Sequence, residues 1–258
     1  MHFHLPKPLH GWREFTGEVG IIVIGVLIAL GAEQVVETLH WRQRVADSDK
    51  ALALELGEAV GQGFIRIGQT DCIEGRLDWL SGVVDRAAVT GKLPPIGRIA
   101  IPQYFTWPSG AWQSIVNGEV ANHLPRDKLQ ALSGIYDFNN DINGEQLQEM
   151  RNWTGIYQLA GPGRTFDSED AARARAAIGL ARYSNRMIGL DAVRMIQLLR
   201  LYGIHYDSAS VRLYTEDDHY ERGGHCRSMG EAVAHYGEAP LRDTAKRSLA
   251  HPLTKPGS

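Results

Sequence analysis

Two hydrophobic patterns follow one another along the first third of the chain. From Val19 to Ala32 every residue is aliphatic or glycine and none is charged. Further on, apolar residues recur only at steps of three and four, at Leu52, Leu56, Val60, Phe64 and Ile67 and then at Ile73, Leu77, Leu80 and Val84. The second pattern is that of an amphipathic helix with one buried face. The first has no polar face over four turns, so a soluble amphipathic helix, or one lying in the membrane interface, fits it poorly.

The uncharged stretch covers about 21 Å of helix, short of a hydrocarbon core of about 30 Å. Its flanks, Phe15 to Gly17 and Gln34 to Val36, extend it, leaving Glu18 and Glu33 near the headgroup zones. Trp12 and Trp41 then bracket the segment at a helical separation of about 43 Å, where interfacial aromatic rings settle. The pattern predicts a transmembrane helix over residues 15–36. A cleaved signal peptide ranks second: Ala29-Leu30-Gly31 resembles a cleavage site, but Glu14 and Glu18 beside Lys7 and Arg13 make a poor basic leader. A buried core helix ranks third.

The remainder reads as helix almost throughout, so the expected fold class is all-α. The transmembrane helix continues into an antiparallel bundle of three to four long helices. The first long helix lacks proline from Val35 to about Ala88, with Gly61, Gly63 and Gly68 as candidate kinks and Gly91 and Pro94-Pro95 beyond its end. Prolines make Ile96 to Ser109 irregular. A short helix is expected over about Ala111 to His123, and another begins near Pro125 and Asp127 and runs to about Ala160, before Gly161-Pro162-Gly163. The last long helix is capped by Asp167-Ser168-Glu169-Asp170, carries a seam of Ala174, Ile178, Ala181, Asn185, Ile188, Ala192, Met195, Leu199 and Tyr202, and ends at Gly203. The expected organisation is a tail at 1–14, the span at 15–36, a bundle domain at 37–203 with its crossover at 91–110, and a loop-rich appendage at 204–258. A short helix is expected in the appendage near Ser228 to Tyr236.

The 258 residues carry a net charge of only −3 in mixed sign. Nothing in it suggests a nucleic-acid surface, which would need basic side chains concentrated on one face. Lys7 and Arg13 before the span and Arg42, Arg44 and Lys50 after it leave the positive-inside count undecided. A short tail followed by one apolar segment behaves as an uncleaved signal anchor, which exports the large domain. Cys72 and Cys226 fit an oxidising compartment as a disulfide pair, with two buried thiols as the alternative.

Gly17-Glu18-Val19, followed by Ile22, Ile24 to Leu27 and Ile28-Ala29-Leu30, resembles the opening of a bacterial family of single-span membrane proteins with no assigned activity. Ala111-Trp112, Ser114-Ile115, Gly118, Leu124, Leu129, Leu132 and Tyr136 are similar to that family's aromatic-Leu-Gly turn and following helix. The exit from the span departs from it, with Gly31-Ala32-Glu33-Gln34 in place of a Gln-rich and Asn-Trp-rich stretch. The resemblance implies an anchored helical protein of bacterial type and brings no catalytic residues; with the signal-anchor reading, the expected location is the bacterial inner membrane, single-pass, with the C-terminal domain in the periplasm.

Candidate chemistry is sparse. Glu18 reads as a first-turn acid after a Thr16 cap, with a proton path as the alternative. Gly25, Ala29 and Ala32 share one helical face that would let a second span approach closely, giving a homodimer. Asn139, Asn140, Asn143 and Asn185 suggest a polar layer inside the bundle that fixes register or holds a small polar ligand. Tyr104, Phe105, Trp107 and Trp112 either line a pocket or cap the bundle. His219, His225 and His235, with Asp217, Asp218, Glu221 and Cys226, supply zinc donor types without an established spacing. Phosphate-binding loops, nucleophile elbows and dinucleotide fingerprints are absent. The sequence therefore predicts no catalytic residue and no cofactor. It points to a membrane-tethered interaction module whose partners are the lipid bilayer, a second copy and an unidentified protein. A metal-dependent hydrolase and a ligand-sensing domain acting through a separate partner are the alternatives.

Overall fold

The computed structural model describes residues 11–215. The chain divides between Ser48 and Asp49 into two compact units, and the first helix, α1 (Trp12–Thr90), contributes to both.

In the first unit α1 carries its aliphatic side chains outward on every side. Ile21 is 73% exposed and Ile28 66%, and no residue of the most apolar window is buried. It is the one helix among the described residues long and apolar enough to cross a membrane. A signal sequence near an N-terminus has the same character. The helix starts at Trp12, so Thr16 lies inside it and Glu18 falls beyond the first turn. The capping role expected of Thr16 is therefore corrected: Trp12 to Phe15 continue the helix upstream instead of ending it.

The second unit is a bundle of three long helices: the later part of α1, α3 (Arg126–Tyr157) and α4 (Ser168–Leu201). Contacts fix their directions. Along α1 and α4, Arg175 meets Asp85 and Arg182 meets Asp78, so rising numbers on one match falling numbers on the other. The same holds between α3 and α4, where Asn152 meets Ser184 and Gly155 faces Ala177. Between α1 and α3, Asp49 meets Lys128 and Arg66 meets Glu149, both rising together. Thus α1 and α3 run parallel and α4 antiparallel to both, which corrects the expectation of a wholly antiparallel bundle. The cause is the crossover at residues 91–125, which carries the chain back along the bundle before α3 begins.

That crossover contains more structure than its prolines suggest. Two-residue strands, β1 (Lys92–Leu93) and β2 (Arg164–Thr165), pair antiparallel, and Ile96 bridges Gly161 through two backbone hydrogen bonds of 3.0 and 2.8 Å. The expected helix at Ala111 to His123 divides into α2 (Gly110–Val116) and a 3-10 turn (Glu119–His123), broken at Asn117-Gly118. A last helix, α5 (Ser208–Thr215), lies where the sequence pattern predicts only loop. It packs on α1 where two glycines leave room: a Cβ on Gly57 would stand 2.4 Å from the Asp207 carbonyl oxygen, and one on Gly61 2.8 Å from Tyr214 Cβ. The Asp207 N–H also donates to the Ala53 carbonyl at 2.8 Å. Gly61 is therefore a packing seat within a helix that runs without a break through all three glycines proposed as kinks.

Local signals account for α4. The Asp167 carboxylate accepts the Asp170 N–H at 2.7 Å, satisfying one of the helix's free N-terminal donors. Gly203 adopts φ +63°, a left-handed turn that glycine enters without steric cost. This lets the Ile204 N–H reach the Leu199 carbonyl at 2.9 Å and the Gly203 N–H reach Arg200 at 3.3 Å, the paired bonds of a Schellman stop. From Ala174 to Leu199 every residue of the expected α4 seam is buried.

Candidate functional site

The interior of the bundle holds a set of buried polar side chains, and α3 supplies several of them, Asn139, Gln146, Glu149 and Asn152. Asn139, Asn143 and Gln146 lie on one face and grip the extended crossover. The Gln146 amide accepts the Phe105 N–H at 3.0 Å and donates to the Phe105 carbonyl at 2.9 Å. The Asn143 amide does the same at Trp107, with both bonds at 3.1 Å, and Asn139 donates to the Pro108 carbonyl at 3.4 Å. These side chains act as the neighbouring strand the crossover lacks, which allows buried backbone to run without a sheet. Phe105 and Trp107 are then held inward, 6% and 2% exposed, while Tyr104 is 41% exposed.

Glu55 on α1 performs a related task at the end of the crossover. Its carboxylate accepts the Ala111 and Trp112 N–H groups at 2.7 and 3.2 Å and the Tyr136 hydroxyl at 2.6 Å. Ser109 makes no side-chain cap, so Glu55 caps α2 from across the bundle. Burial, together with the adjacent Glu55 carboxylate, pushes the Tyr136 phenol well above its ordinary value, so it stays a hydrogen-bond donor. Its ring stacks on Trp112, with centroids 5.1 Å apart and planes 2° from parallel.

At mid-height a charged group links all three helices. Arg66 is 0% exposed, and its Nη2 donates to Glu149 Oε1 at 2.5 Å and Asn185 Oδ1 at 3.2 Å. The Asn185 amide donates in turn to the Thr70 carbonyl at 3.1 Å and to Glu74 at 3.3 Å. Glu74 receives Arg182 at 2.5 Å and Arg186 at 3.2 Å, and Arg182 reaches Asp78 at 2.7 Å. Burial raises the Glu149 carboxyl above its ordinary range despite the opposing pull of Arg66. Arg66 Nε and Nη1 have no protein partner. Because the Arg66 and Glu149 side chains are only 0% and 5% exposed, the pair fastens helices together and does not meet a solute. The sequence signal for it is the trio Gln62, Arg66 and Gln69, polar residues at helical spacing inside an apolar stripe.

One cavity, of about 280 Å3, opens where α3 begins and α4 ends. Leu52, Leu56, Ala131 and Leu132 form an apolar floor, and Asp49, Asp127, Lys128, Tyr202 and His205 stand around it. Lys128 Nζ sits 2.7 Å from each Asp49 carboxylate oxygen. The aromatic group Tyr104, Phe105, Trp107 and Trp112 is not part of the lining.

The structure separates the residues expected to form a polar layer. Asn139 and Asn143 hold the crossover, Asn185 joins Arg66, and Asn140 is exposed. Gly25, Ala29 and Ala32 lie exposed on α1. Cys72 is half-buried on α1 and is not a free thiol, while Cys226 lies outside the described residues. His219, His225 and His235, their acidic neighbours and the helix expected at Ser228 to Tyr236 also lie outside them. Among the described residues no group of three or more His, Cys, Asp or Glu side chains is placed to hold a metal ion. Comparison of the chain with protein-family models, with curated proteins and with solved structures gives no match.

Proposed function

We propose that this chain is a membrane-tethered helical interaction module of the bacterial envelope, non-catalytic, with its bundle exported to the periplasm. The observation that carries this reading is the contrast within α1. Residues of its first part expose aliphatic surface in every direction, as lipid would require, and the same helix then supplies the bundle's buried stripe. The resemblance of residues 17–30 and 111–136 to anchored bacterial proteins supports the same assignment. The bundle's buried polar contacts hold the crossover and fasten helices, which suits a scaffold that presents surfaces to a partner protein. Tethering confines such a module to the membrane plane and raises its effective concentration for neighbours there.

A disulfide between Cys72 and Cys226 belongs to this reading, since it would staple the C-terminal segment to α1 in an oxidising compartment. A reporter fused after Ser258 tests the orientation. Activity of a reporter that works only outside the cytoplasm is expected, and activity of one that works only inside would reverse the placement. Photo-crosslinking in intact membranes tests the module. A defined partner captured by the full chain, and lost when the span is replaced by a soluble leader, is the expected result.

A further inference from the structure

The polar stripe on α1 holds donors and acceptors that the fastening of helices leaves unmet. Gln62, Arg66 and Gln69 are 4%, 0% and 3% exposed. At 3.6 residues per turn they fall within about 60° of one another around the helix, Gln62 about 6 Å before Arg66 and Gln69 about 4.5 Å after it. Arg66 Nη2 serves Glu149 and Asn185. Its Nε and Nη1, which carry three of the five N–H donors of a guanidinium, bond nothing among the described residues. The Oε1 atoms of Gln62 and Gln69 are buried acceptors on the same face, and they too have no partner among the described residues. Turning the Gln62 amide over does not help, because its nitrogen already donates to the Thr106 carbonyl and the Tyr214 hydroxyl, both at 3.4 Å. Buried groups of this kind are satisfied in folded proteins by other protein groups or by ordered water.

We propose that this stripe is a binding site for ordered internal water, with at least one molecule bridging Arg66 to the amide oxygens of Gln62 and Gln69. The class of ligand follows from the mixture of donors and acceptors. Whatever bridges them must accept from Arg66 and donate to the glutamines. An anion has no proton to give the amide oxygens, and a cation is repelled by Arg66 and cannot accept from it. A neutral hydroxyl does both. Exposures of 0–4% leave no mouth through which a larger solute could enter. Water is the hydroxyl small enough to be enclosed here, and a buried water makes about three hydrogen bonds. The junction of α1, α3 and α4 is therefore wet at mid-height, and the Arg66–Glu149 pair is one part of a hydrated network. The inference stands apart from membrane tethering, so its failure would leave that reading intact.

Water-to-protein cross-relaxation NMR of the full chain, labelled with nitrogen-15 in micelles, tests it. A rotating-frame water cross-peak opposite in sign to the diagonal is expected at the Arg66 Nε–H, the mark of a bound water, and loss of that resonance in Arg66→Lys assigns it. Oxygen-17 relaxation dispersion should also lose one or more long-lived waters in Arg66→Met with Glu149→Leu, which removes the donors together with their counterion. If that variant fails to fold, the cross-peak of the parent decides. A cross-peak of exchange sign alone would mean that the guanidinium opens to bulk solvent, and would overturn the proposal. So would an Arg66 Nε–H with no water cross-peak, or one whose shift changes saturably when sulfate is replaced by chloride, which would put an anion in the site.

Discussion

Residues 15–40 and residues 52–87 belong to one helix, yet they meet their surroundings in opposite ways. In the first stretch Ile21, Leu27 and Leu30 stand 73%, 61% and 55% exposed, whereas in the second Leu56, Val60, Leu77 and Leu80 are all at 0%. Hydrophobic content does not separate the two as well as periodicity does. A stripe at steps of three and four needs partners on one side, and α3 and α4 provide them. A side chain set without a polar face instead suits an apolar medium all round. The contrast also shows where polarity is tolerated: the second stretch buries Gln62, Arg66 and Gln69, while the uncharged core of the first holds nothing that would need such partners.

The largest way to break the comparison is to disturb the bundle half alone. Glu149→Leu leaves the Arg66 guanidinium buried without its counterion and should destabilise the bundle by about 3–5 kcal/mol, read by denaturant unfolding of the full chain in micelles. The double variant Arg66→Met with Glu149→Leu should recover most of that loss or exceed the parent, because a packed apolar pair avoids the desolvation cost. Membrane retention should be unchanged in both. A conformationally essential ion pair would instead leave the double variant as unstable as the single.

The complementary change touches only the span. Leu27→Arg should disfavour insertion by about 2.5–3.5 kcal/mol, shifting protein from the membrane to the soluble fraction while the bundle's unfolding transition keeps its midpoint. A fall in both would mean that the first stretch is part of the soluble fold.

Glycines sharpen the picture at smaller scale. Gly57→Ala places a Cβ against the Asp207 carbonyl and should loosen α5 by about 1–3 kcal/mol, seen as faster amide exchange over residues 208–215 with α4 unaffected. A methyl group added at Gly75 would meet nothing within 4 Å, so Gly75→Ala should stabilise α1 by up to about 1 kcal/mol through helix propensity. Equal effects at the two sites would refute the packing-seat account.

The smallest effect is one of pH. Burial raises the Asp191 carboxyl above its ordinary 3.8, with Arg194 opposing and Asp141 and Glu145 reinforcing the shift. A raised native value means that the folded state holds this proton more tightly than the unfolded chain. Asp191 therefore costs stability as pH climbs from about 3.8 through the raised native value, and the cost is constant above it. Asp191→Asn should match the parent at low pH and gain on it across that window. A difference that shrinks with rising pH would give the shift the wrong sign.

Much of the fold was legible because its signals are local. The Asp167 cap, the Gly203 stop and the α4 seam each depend on residues within a few positions, and the structure places them as the pattern implies. The parallel course of α1 and α3 was not legible, since nothing short-range states how far a proline-rich crossover travels. Gly57 and Gly61 look like weak points in a helix until α5 is seen to rest on them. Glu55, Arg66 and Glu149 escaped for the same reason: their partners are 56 to 119 positions away. The asparagines stand out as a group, but which backbone or charge each serves is a tertiary fact. The cavity likewise needs the start of α3 and the end of α4 to be brought beside the middle of α1 before its residues share a rim.

The most direct measurement is alkaline carbonate extraction of membranes from cells producing the full chain, followed by mass mapping of its N-terminus. The account predicts that the protein stays in the membrane pellet with residues 15–36 intact. Recovery in the soluble fraction, starting after the Ala29-Leu30-Gly31 stretch, would contradict it.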